Sequence, residues 1–312
     1  MKKILITAVG GDIGYGVIKA LKKGGHNLYI IGCDIKKYNI SYDIVDDFII
    51  CPPCGKEQQW TDFILNLIND KGVECFWPIT ESEIKIVDSR RELFKNVTLI
   101  MNNSNVLNVS MDKGMTARFL TDGGVRTPKT WDAVPSRELV FPLIVKERFG
   151  CGSHSVYKVN NGKEFSDAIE EMESPIVQEY IGTEKEEYTL TIFSDGHVIN
   201  HIAFRRELGF GGMSRYVELI DNEKLSAIAM KIAKLFNLVG SINVQLRKRQ
   251  GEFYVFEINP RISSTIGFRM LLGFNDVSWW IDAFEGIPIT YYELPEGKIY
   301  GARTVEEKIF RE

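Results

Sequence analysis

The segment "GSINVQLRKRQGEFYVFEINPR" carries the residues whose types and spacing point most directly to chemistry. It reads as two strands around a turn at Gln250 and Gly251, and alternation puts Ile242, Val244 and Leu246 on one face with Phe256 and Ile258. The other face then holds Asn243 and Gln245 opposite Glu257 and Asn259. With a three-residue loop, Gln245 pairs directly with Glu257, bringing an amide oxygen and a carboxylate within the few ångströms of a cross-strand pair. Such oxygens suit a hard cation. Mg2+, or Mn2+ in its place, is commonly held by one or two protein oxygens while substrate phosphates supply others. Pro260 ends the strand, and Arg261 sets a permanent cation beside the expected metal.

Two further constellations compete for attention. In "ITAVGGDIGYGVIKAL" an apolar run meets a glycine-rich loop and then a helical pattern. The G-x-G-x-x-G dinucleotide fingerprint fails because Val9 stands where glycine is needed. The looser G-x-x-x-G-x-G of short-chain dehydrogenases fits Gly10, Gly14 and Gly16, with Asp34 placed where a ribose contact is expected. Such an enzyme also needs a Tyr-x-x-x-Lys pair for proton transfer, and the one occurrence, Tyr15 to Lys19, lies inside the first helix. An NAD(P)-dependent reductase or epimerase is thus supported only by this N-terminal region. Cys51 and Cys54 sit between a strand-like and a helical run, the setting of a redox CxxC. Neither a second cysteine pair nor a nearby histidine completes a zinc site, and the intervening prolines suit an ordinary turn.

The elements that must hold these residues alternate over the first hundred positions. "KILITAV", "NLYIIGCD", "DDFIIC", "ECFWPI" and "VTLIM" read as strands, with helical patterns in "GYGVIKALKKGG", "WTDFILNLINDKG" and "SEIKIVDSRRELF". That order predicts a parallel sheet with crossover helices, whose ligand loops lie at the carboxyl ends of the strands, where "GGDIGYG" and "CPPC" fall. Past Asn103 the texture changes to antiparallel strands, with turn signals at "NNGK", "SDGH" and "KRQGE". The expected fold class is therefore α/β followed by α+β, with a boundary near residue 103.

Composition narrows the function. Against 42 Asp+Glu stand 38 Lys+Arg, a formal charge of −4 too near neutral for a nucleic-acid binder. No apolar run is long enough for a membrane span, and the N-terminus lacks a signal-peptide pattern, so a cytoplasmic protein without membrane partner is expected. The 5 cysteines do not suggest a disulfide framework, and no Ser-His-Asp or Cys-His apparatus is apparent.

The motifs "MDKGMTARFLTDGGVRTPKT", "FPLIVKERFGCGSHSVYKV", "VQEYIG", "EEYTLTIFSDG", "SINVQ" and "FEINPR" occur in an order that resembles the ATP-grasp superfamily, particularly the ATP-binding module of carbamoyl-phosphate-synthase large chains and their free-standing ligase relatives. The resemblance implies an ATP-grasp fold with a Rossmann-like pre-ATP-grasp domain over 1–103 and an ATP-grasp domain over 104–312. Within the latter it implies a lid subdomain at about 127–185 and a metal and phosphate subdomain at about 186–312.

By the same resemblance, Lys113 and Lys146 contact ATP phosphates under a loop containing Gly150, Gly152 and Ser153. Cys151 and His154 are unusual residues for that loop. Gln178 and the backbone of Glu179, Tyr180 and Ile181 meet adenine, and Glu187, with Glu186 as its neighbour and rival, binds ribose. Arg205 or Arg206 meets the transferred phosphate; strand alternation admits only one of them, and the sequence leaves the choice open. Gln245, Glu257 and Asn259 match the magnesium ligands and Arg261 a phosphate or acceptor contact. Ser263, Ser264 and Arg269 fall near the acceptor, as do Gly11 and Asp12. The implied activity is ATP- and Mg-dependent ligation of a small carboxylate to an amine through an acyl phosphate. A nucleotide-binding regulatory protein without turnover is the second alternative. A homodimer is the ordinary oligomeric expectation, and Trp279, Trp280, Tyr291 and Tyr292 read as core or subunit contacts.

Overall fold

Ile4, Leu5 and Ile6 are fully buried, as a strand covered on both faces requires. They form β1 (Lys2–Thr7), the centre of a parallel sheet in a computed structural model that describes residues 1–132, 139–150, 156–209, 212–304 and 307–310. The first unit continues through α1 (Asp12–Gly24), β2 (Leu28–Asp34), β3 (Asp47–Ile50), α2 (Glu57–Lys71), β4 (Cys75–Trp77), α3 (Glu81–Asp88) and β5 (Thr98–Leu99). Its five strands run in the order β3-β2-β1-β4-β5, with every pair parallel. Thr80 caps α3 in a reciprocal box with Glu83, and Gly25 and Gly72 end α1 and α2 in the left-handed conformation.

The glycines of the opening loop are explained by close approach. A Cβ on Gly14 would collide with the Ala8 carbonyl, and one on Gly16 with the Ile266 side chain. The loop also engages its own donors. Val9 donates to Cys33 O, Gly10 to Asp34 Oδ2 and Gly11 to Ala8 O. Asp34 accepts from Lys36 N as well, so both its oxygens are tied to backbone.

The second unit comprises 105–260 and 291–303. After α4 (Ser104–Met111) and α5 (Lys113–Asp122) come β6 (Thr130–Trp131), β7 (Leu143–Glu147), β8 (Val156–Val159), α6 (Gly162–Glu170) and β9 (Pro175–Glu179). Their strands make an antiparallel sheet in the order β6-β9-β7-β8, whose Leu143, Val145 and Val177 pack on Phe165 and Ala168 of α6. Then follow β10 (Glu187–Asp195), β11 (Ile199–Leu208), β12 (Ser214–Leu219), α7 (Glu223–Phe236), β13 (Val239–Arg249) and β14 (Glu252–Asn259). These strands, with the late β15 (Tyr300–Ala302), form a six-stranded antiparallel sheet, ordered β14-β13-β10-β11-β12-β15. Leu190, Ile192, Ile242, Val244 and Leu246 are buried on one face, in a cluster with Ala229, Ile232 and Phe236 of α7.

The β13–β14 hairpin reaches the expected pairing by an unexpected route. Its turn is two residues long, Gln250 and Gly251, both with positive φ (52° and 80°), as twisted hairpins favour. A bulge at Gln245/Leu246 then restores the pairs Gln245 with Glu257 and Asn243 with Asn259. One expectation is corrected here. Phe253 and Val255 join the core cluster in place of Phe256, because the bulge makes Phe256 the extra residue and reverses the alternation around it.

The chain returns to the first unit over Arg261–Thr290, adding α8 (Ile266–Leu271) and α9 (Asp276–Glu285), and again over Thr304–Glu312. Trp280 is buried edge-on against Trp77, and Trp279 packs on Phe274, while Tyr291 is exposed. Among the described residues no helix is long and apolar enough to cross a membrane.

Candidate active site

Alternation along β10, β11 and β13 decides what faces away from α7. With Tyr188, Leu190 and Ile192 in the core, Glu187, Thr189 and Thr191 point the other way, and their cross-strand partners Arg247, Gln245 and Asn243 share that face. The two arginines of β11 are therefore separated. Arg205 pairs with Tyr188 in register and forms a half-exposed ion pair with Glu218 at 2.6 Å. Arg206 is buried and donates to Glu187 Oε1 at 2.8 Å and to Gln245 Oε1 at 3.0 Å. Glu187 also accepts from Arg247 NH2 at 3.0 Å through Oε2, so one buried carboxylate carries two guanidiniums. Its neighbour Glu186 instead accepts from the Tyr188 hydroxyl.

The β7 side supplies the lysines. Lys146 is buried and donates to the Phe256 carbonyl at 3.2 Å, with its ammonium over the Phe256 ring. Burial lowers its pKa to about 8; Glu257 opposes the shift, while Lys113 and Arg247 reinforce it. Lys113 opens α5 and donates to the Gly150 carbonyl at 2.6 Å. Its position is set by Asp112, which caps α5 through Gly114 N and Met115 N and receives both arms of Arg148 at 2.8 Å. Burial raises the Asp112 pKa, but Arg148 and the cap donors outweigh it and hold the carboxyl below the usual range. Gly152 and Ser153, with Cys151 and His154, lie outside the described residues.

Counted together, Lys113, Lys146, Arg206 and Arg247 confront the carboxylates of Glu187 and Glu257. This excess of positive charge on an oxygen-lined face is suited to a polyanion. The metal-ligand chemistry is mixed but compatible with Mg2+. Glu257 supplies a carboxylate, and Asn259 lies beside it with Nδ2 3.2 Å from Glu257 Oε1, while Gln245 Oε1 is shared with Arg206. A single carboxylate with amide oxygens suits an ion that takes other ligands from phosphate and water. Among the described residues no group of three or more His, Cys, Asp or Glu could hold a metal without such help.

On β9, Gln178 is buried and Ile181 just beyond is buried as well. Glu179 donates its N–H to Lys129 O and accepts from Arg249 at 2.6 Å. The Tyr180 ring lies under Lys158 and near Arg247. In the first unit, Arg261 pairs with Glu81 at 3.0 Å. Arg269 has no exposed side chain and forks onto Asp276, with Ser263 and Thr265 also accepting from it. That geometry corrects the expectation of an acceptor contact: its charge is already neutralised inside the scaffold. Ser263 is buried, whereas Ser264 is only half-buried. Gly11 caps α1 without a side chain and Asp12 is the first helical residue. Cys54 has its thiol pKa raised by burial, opposite to the lowering a redox CxxC uses.

Sequence reasoning missed Arg247, Asp112 and Arg148. Arg247 was reachable, since it stands two positions after Gln245 on a strand and must share its face. The Asp112–Arg148 pair joins residues 36 apart and has no local signal.

Two antiparallel sheets, with cations and oxygen ligands gathered on their facing residues, define a nucleotide-binding ligase architecture. The ATP-grasp domain family matches residues 110–265, half of the chain. The chain belongs to the ATP-grasp family, and ATP and Mg2+ are its expected nucleotide and metal. It is 28% identical over 204 residues to the carbamoyl phosphate synthase large chain of Caldanaerobacter subterraneus subsp. tengcongensis, covering 58% of this chain and 19% of that one. The chain thus spans only about a fifth of that relative's length. It is 27% identical over 293 residues to the coenzyme gamma-F420-2:alpha-L-glutamate ligase of Methanococcus maripaludis, covering 86% of this chain and 93% of that protein. Among solved structures, the biotin carboxylase domain of Hydrogenobacter thermophilus 2-oxoglutarate carboxylase, a dimer with MgADP, ADP and bicarbonate, superposes with a TM-score of 0.79. That match has 17% identity and covers 97% of this chain and 74% of the other.

Proposed function

We propose that the protein is an ATP- and Mg-dependent ligase that activates a small carboxylate as an acyl phosphate for attack by an amine. The observation that carries this reading is the convergence of Lys113, Lys146 and Arg206 with Glu257 and Asn259. Phosphoryl transfer asks a protein mainly for positioning and charge neutralisation, and this set supplies both. The similarity to a glutamate ligase over nearly its full length supports ligation of a carboxylate to an amine.

In this reading Lys113, beside Gly150, and Lys146 hold phosphate oxygens, and Arg206 meets the transferred group. Arg205, paired outward with Glu218, takes no part. Glu257 and Asn259 would hold Mg2+, with Gln245 beside them, and the metal would neutralise charge on the phosphates. Adenine lies along Gln178 and the backbone of Glu179, Tyr180 and Ile181, and Glu187 faces the ribose. Arg261, Ser263 and Ser264 stand closest in sequence to the metal ligands and bind the acceptor, together with Gly11 and Asp12; Arg269 holds the scaffold. The carboxylate oxygen attacks the γ-phosphorus and ADP leaves. The amine then attacks the acyl carbon, phosphate departs, and the amine loses a proton.

The engagement of Asp34 by Gly10 N and Lys36 N, together with family membership, favours this reading over a dinucleotide enzyme. The test is a screen of carboxylic acids and amines for ADP release. The proposal expects release that requires Mg2+ and a carboxylate together; purified protein that binds no ATP would sink it.

A further inference from the structure

Arg206 is 6% exposed and reaches two acceptors through one nitrogen. Its Nη2 donates to Glu187 Oε1 at 2.8 Å and to Gln245 Oε1 at 3.0 Å, while its Nε, buried as well, has no hydrogen-bond partner among the described residues. A buried donor left unanswered costs the fold free energy, and at a polyanion site it marks where a ligand's acceptor belongs. Glu187 does not depend on Arg206 for its place. Arg247 holds the other carboxylate oxygen, Oε2, through Nε at 3.3 Å and Nη2 at 3.0 Å. Arg206 can therefore exchange partners while Glu187 stays fixed.

Gln245 is the acceptor under competition. An amide oxygen has two lone pairs and can serve a donor and a metal by count, but the charges oppose it. A dication bonded to the oxygen that Arg206 already holds would stand next to the guanidinium, and like charges repel strongly where water is excluded. Little on the protein offsets that repulsion. Glu257 is the single carboxylate among the matched metal ligands, and Glu187 is already shared by two guanidiniums. A phosphate supplies what is missing, because it carries oxygens enough to accept from the guanidinium and to bind the metal together.

We infer that Arg206 is an exchange gate on the metal site: it holds Gln245 Oε1 until a nucleotide phosphate draws it away, so the protein takes up a divalent cation together with phosphate and not alone. Arg247 is the positioning residue that keeps Glu187 in place through the exchange. The gate rests on the ligase reading, in which Gln245 stands beside Mg2+, and adds to it an order of assembly. It lets the site refuse bare divalent cations, which a cluster of oxygens by itself does not.

The test uses the whole chain and two probes: Mn2+ alone, counted by the electron paramagnetic resonance of the unbound ion, and MgATP, followed by equilibrium binding. Arg206→Met should bind Mn2+ at least about tenfold more tightly than the wild type, and MgATP at least about tenfold more weakly. Opposite changes in the two affinities cannot come from a damaged fold, which weakens both. Arg205→Met removes an equal charge from the surface pair with Glu218 and should move Mn2+ affinity by less than about twofold. In a Gln245→Met background no shared oxygen remains to be released, and the Mn2+ gain from Arg206→Met should shrink to below about threefold. The wild type supplies a readout that needs no variant. Its Arg206 Nε–H resonance should move downfield with MgATP, as a phosphate oxygen accepts from it, and stay in place with the same concentration of Mg2+ alone. Mn2+ binding no tighter or MgATP binding no weaker in Arg206→Met, a gain undiminished by Gln245→Met, or an Nε–H resonance displaced by Mg2+ alone overturns the gate and leaves the nucleotide reading standing. A wild type that binds no MgATP overturns both.

Discussion

Lys146 has opposite consequences for stability and for binding. Its pKa is lowered by burial from 10.5 to about 8, so between those values the unfolded chain binds more protons and stability rises with pH. Below pH 8 the buried ammonium costs the fold on the order of 1–3 kcal/mol. Lys146→Met should therefore raise the melting temperature at pH 7, with a smaller gain at pH 9.5, while weakening MgATP binding. A lower melting temperature at pH 7 would show that the ammonium stabilises the fold. In the wild type the lysine loses its charge as pH rises through 8, and MgATP affinity should fall there by up to about tenfold per pH unit. Calorimetric titration in two buffers of different ionisation enthalpy should show proton uptake on binding near pH 8. The arginines give a second contrast. Arg206→Ala removes the donor to Glu187 Oε1 and Gln245 Oε1, while Arg247 still holds Glu187 Oε2, and should cost turnover at least about a hundredfold, whereas Arg205→Ala breaks a surface pair and should stay within about 0.5 kcal/mol in stability, with turnover nearly unchanged. Adjacent strand residues made it plain that one arginine faces the site. Which one depends on the register of β10 against β11, and that is set by the buried run Tyr188, Leu190, Ile192 rather than by the arginines themselves.

The β13–β14 hairpin shows where reading by element succeeds and where it stops. Its strands and its turn residues were legible, because period-2 alternation and a Gly at the turn are local signals, but the Gln245–Glu257 pair was expected from a three-residue loop where the structure has a two-residue turn and a bulge. The bulge was not legible, since nothing in "YVFEIN" distinguishes one apolar residue from its neighbour as the extra one. Its effect is large. Without it, the two-residue turn would continue its register and set Phe256, not Glu257, opposite Gln245, turning Glu257 and Asn259 toward the α7 core. Deleting Phe256 removes the extra residue itself and leaves Gln245 opposite Glu257 in a regular ladder, so this variant and Phe256→Leu should both retain Mg-dependent nucleotide binding, whereas one alanine inserted between Phe256 and Glu257 should abolish it by displacing Glu257 from Gln245. Loss in the deletion and Phe256→Leu variants as well would tie the effect to the ring rather than the register. The start of α5 is held by a comparable device, with Asp112 serving as cap and as the partner of Arg148. Asp112→Ala should lose about 1–3 kcal/mol of stability in denaturant titration and raise the ATP KM by releasing Lys113. A KM at the wild-type value would show that Lys113 needs no such anchor.

Across the molecule the chain is not divided into two consecutive segments. The parallel sheet and the change of texture near residue 103 are visible as alternating strand and helix patterns, yet Arg261–Thr290 belongs with the first unit. That return is hidden in the sequence because α8 and α9 are short helices whose periodicity states that they are amphipathic and not what they cover. Their partners are specific: Ile266 fills the space left by Gly16, and Trp280 packs on Trp77. Removing the buried Trp280 ring should cost about 3–5 kcal/mol, drawn from the first unit. MgATP should stabilise the second unit, where Lys113, Lys146, Arg206, Glu257 and Asn259 all reside. Trp60, Trp77, Trp279 and Trp280 are in the first unit and Trp131 in the second, so tryptophan fluorescence reports mainly on the first. In Trp280→Ala the fluorescence-detected transition should fall to lower temperature, while hydrogen exchange in β10, β13 and β14 should keep its protection by MgATP. Loss of that protection together with the fluorescence transition would show that the two units unfold as one cooperative body, and that the returning helices stabilise the nucleotide site as well as the sheet they cover.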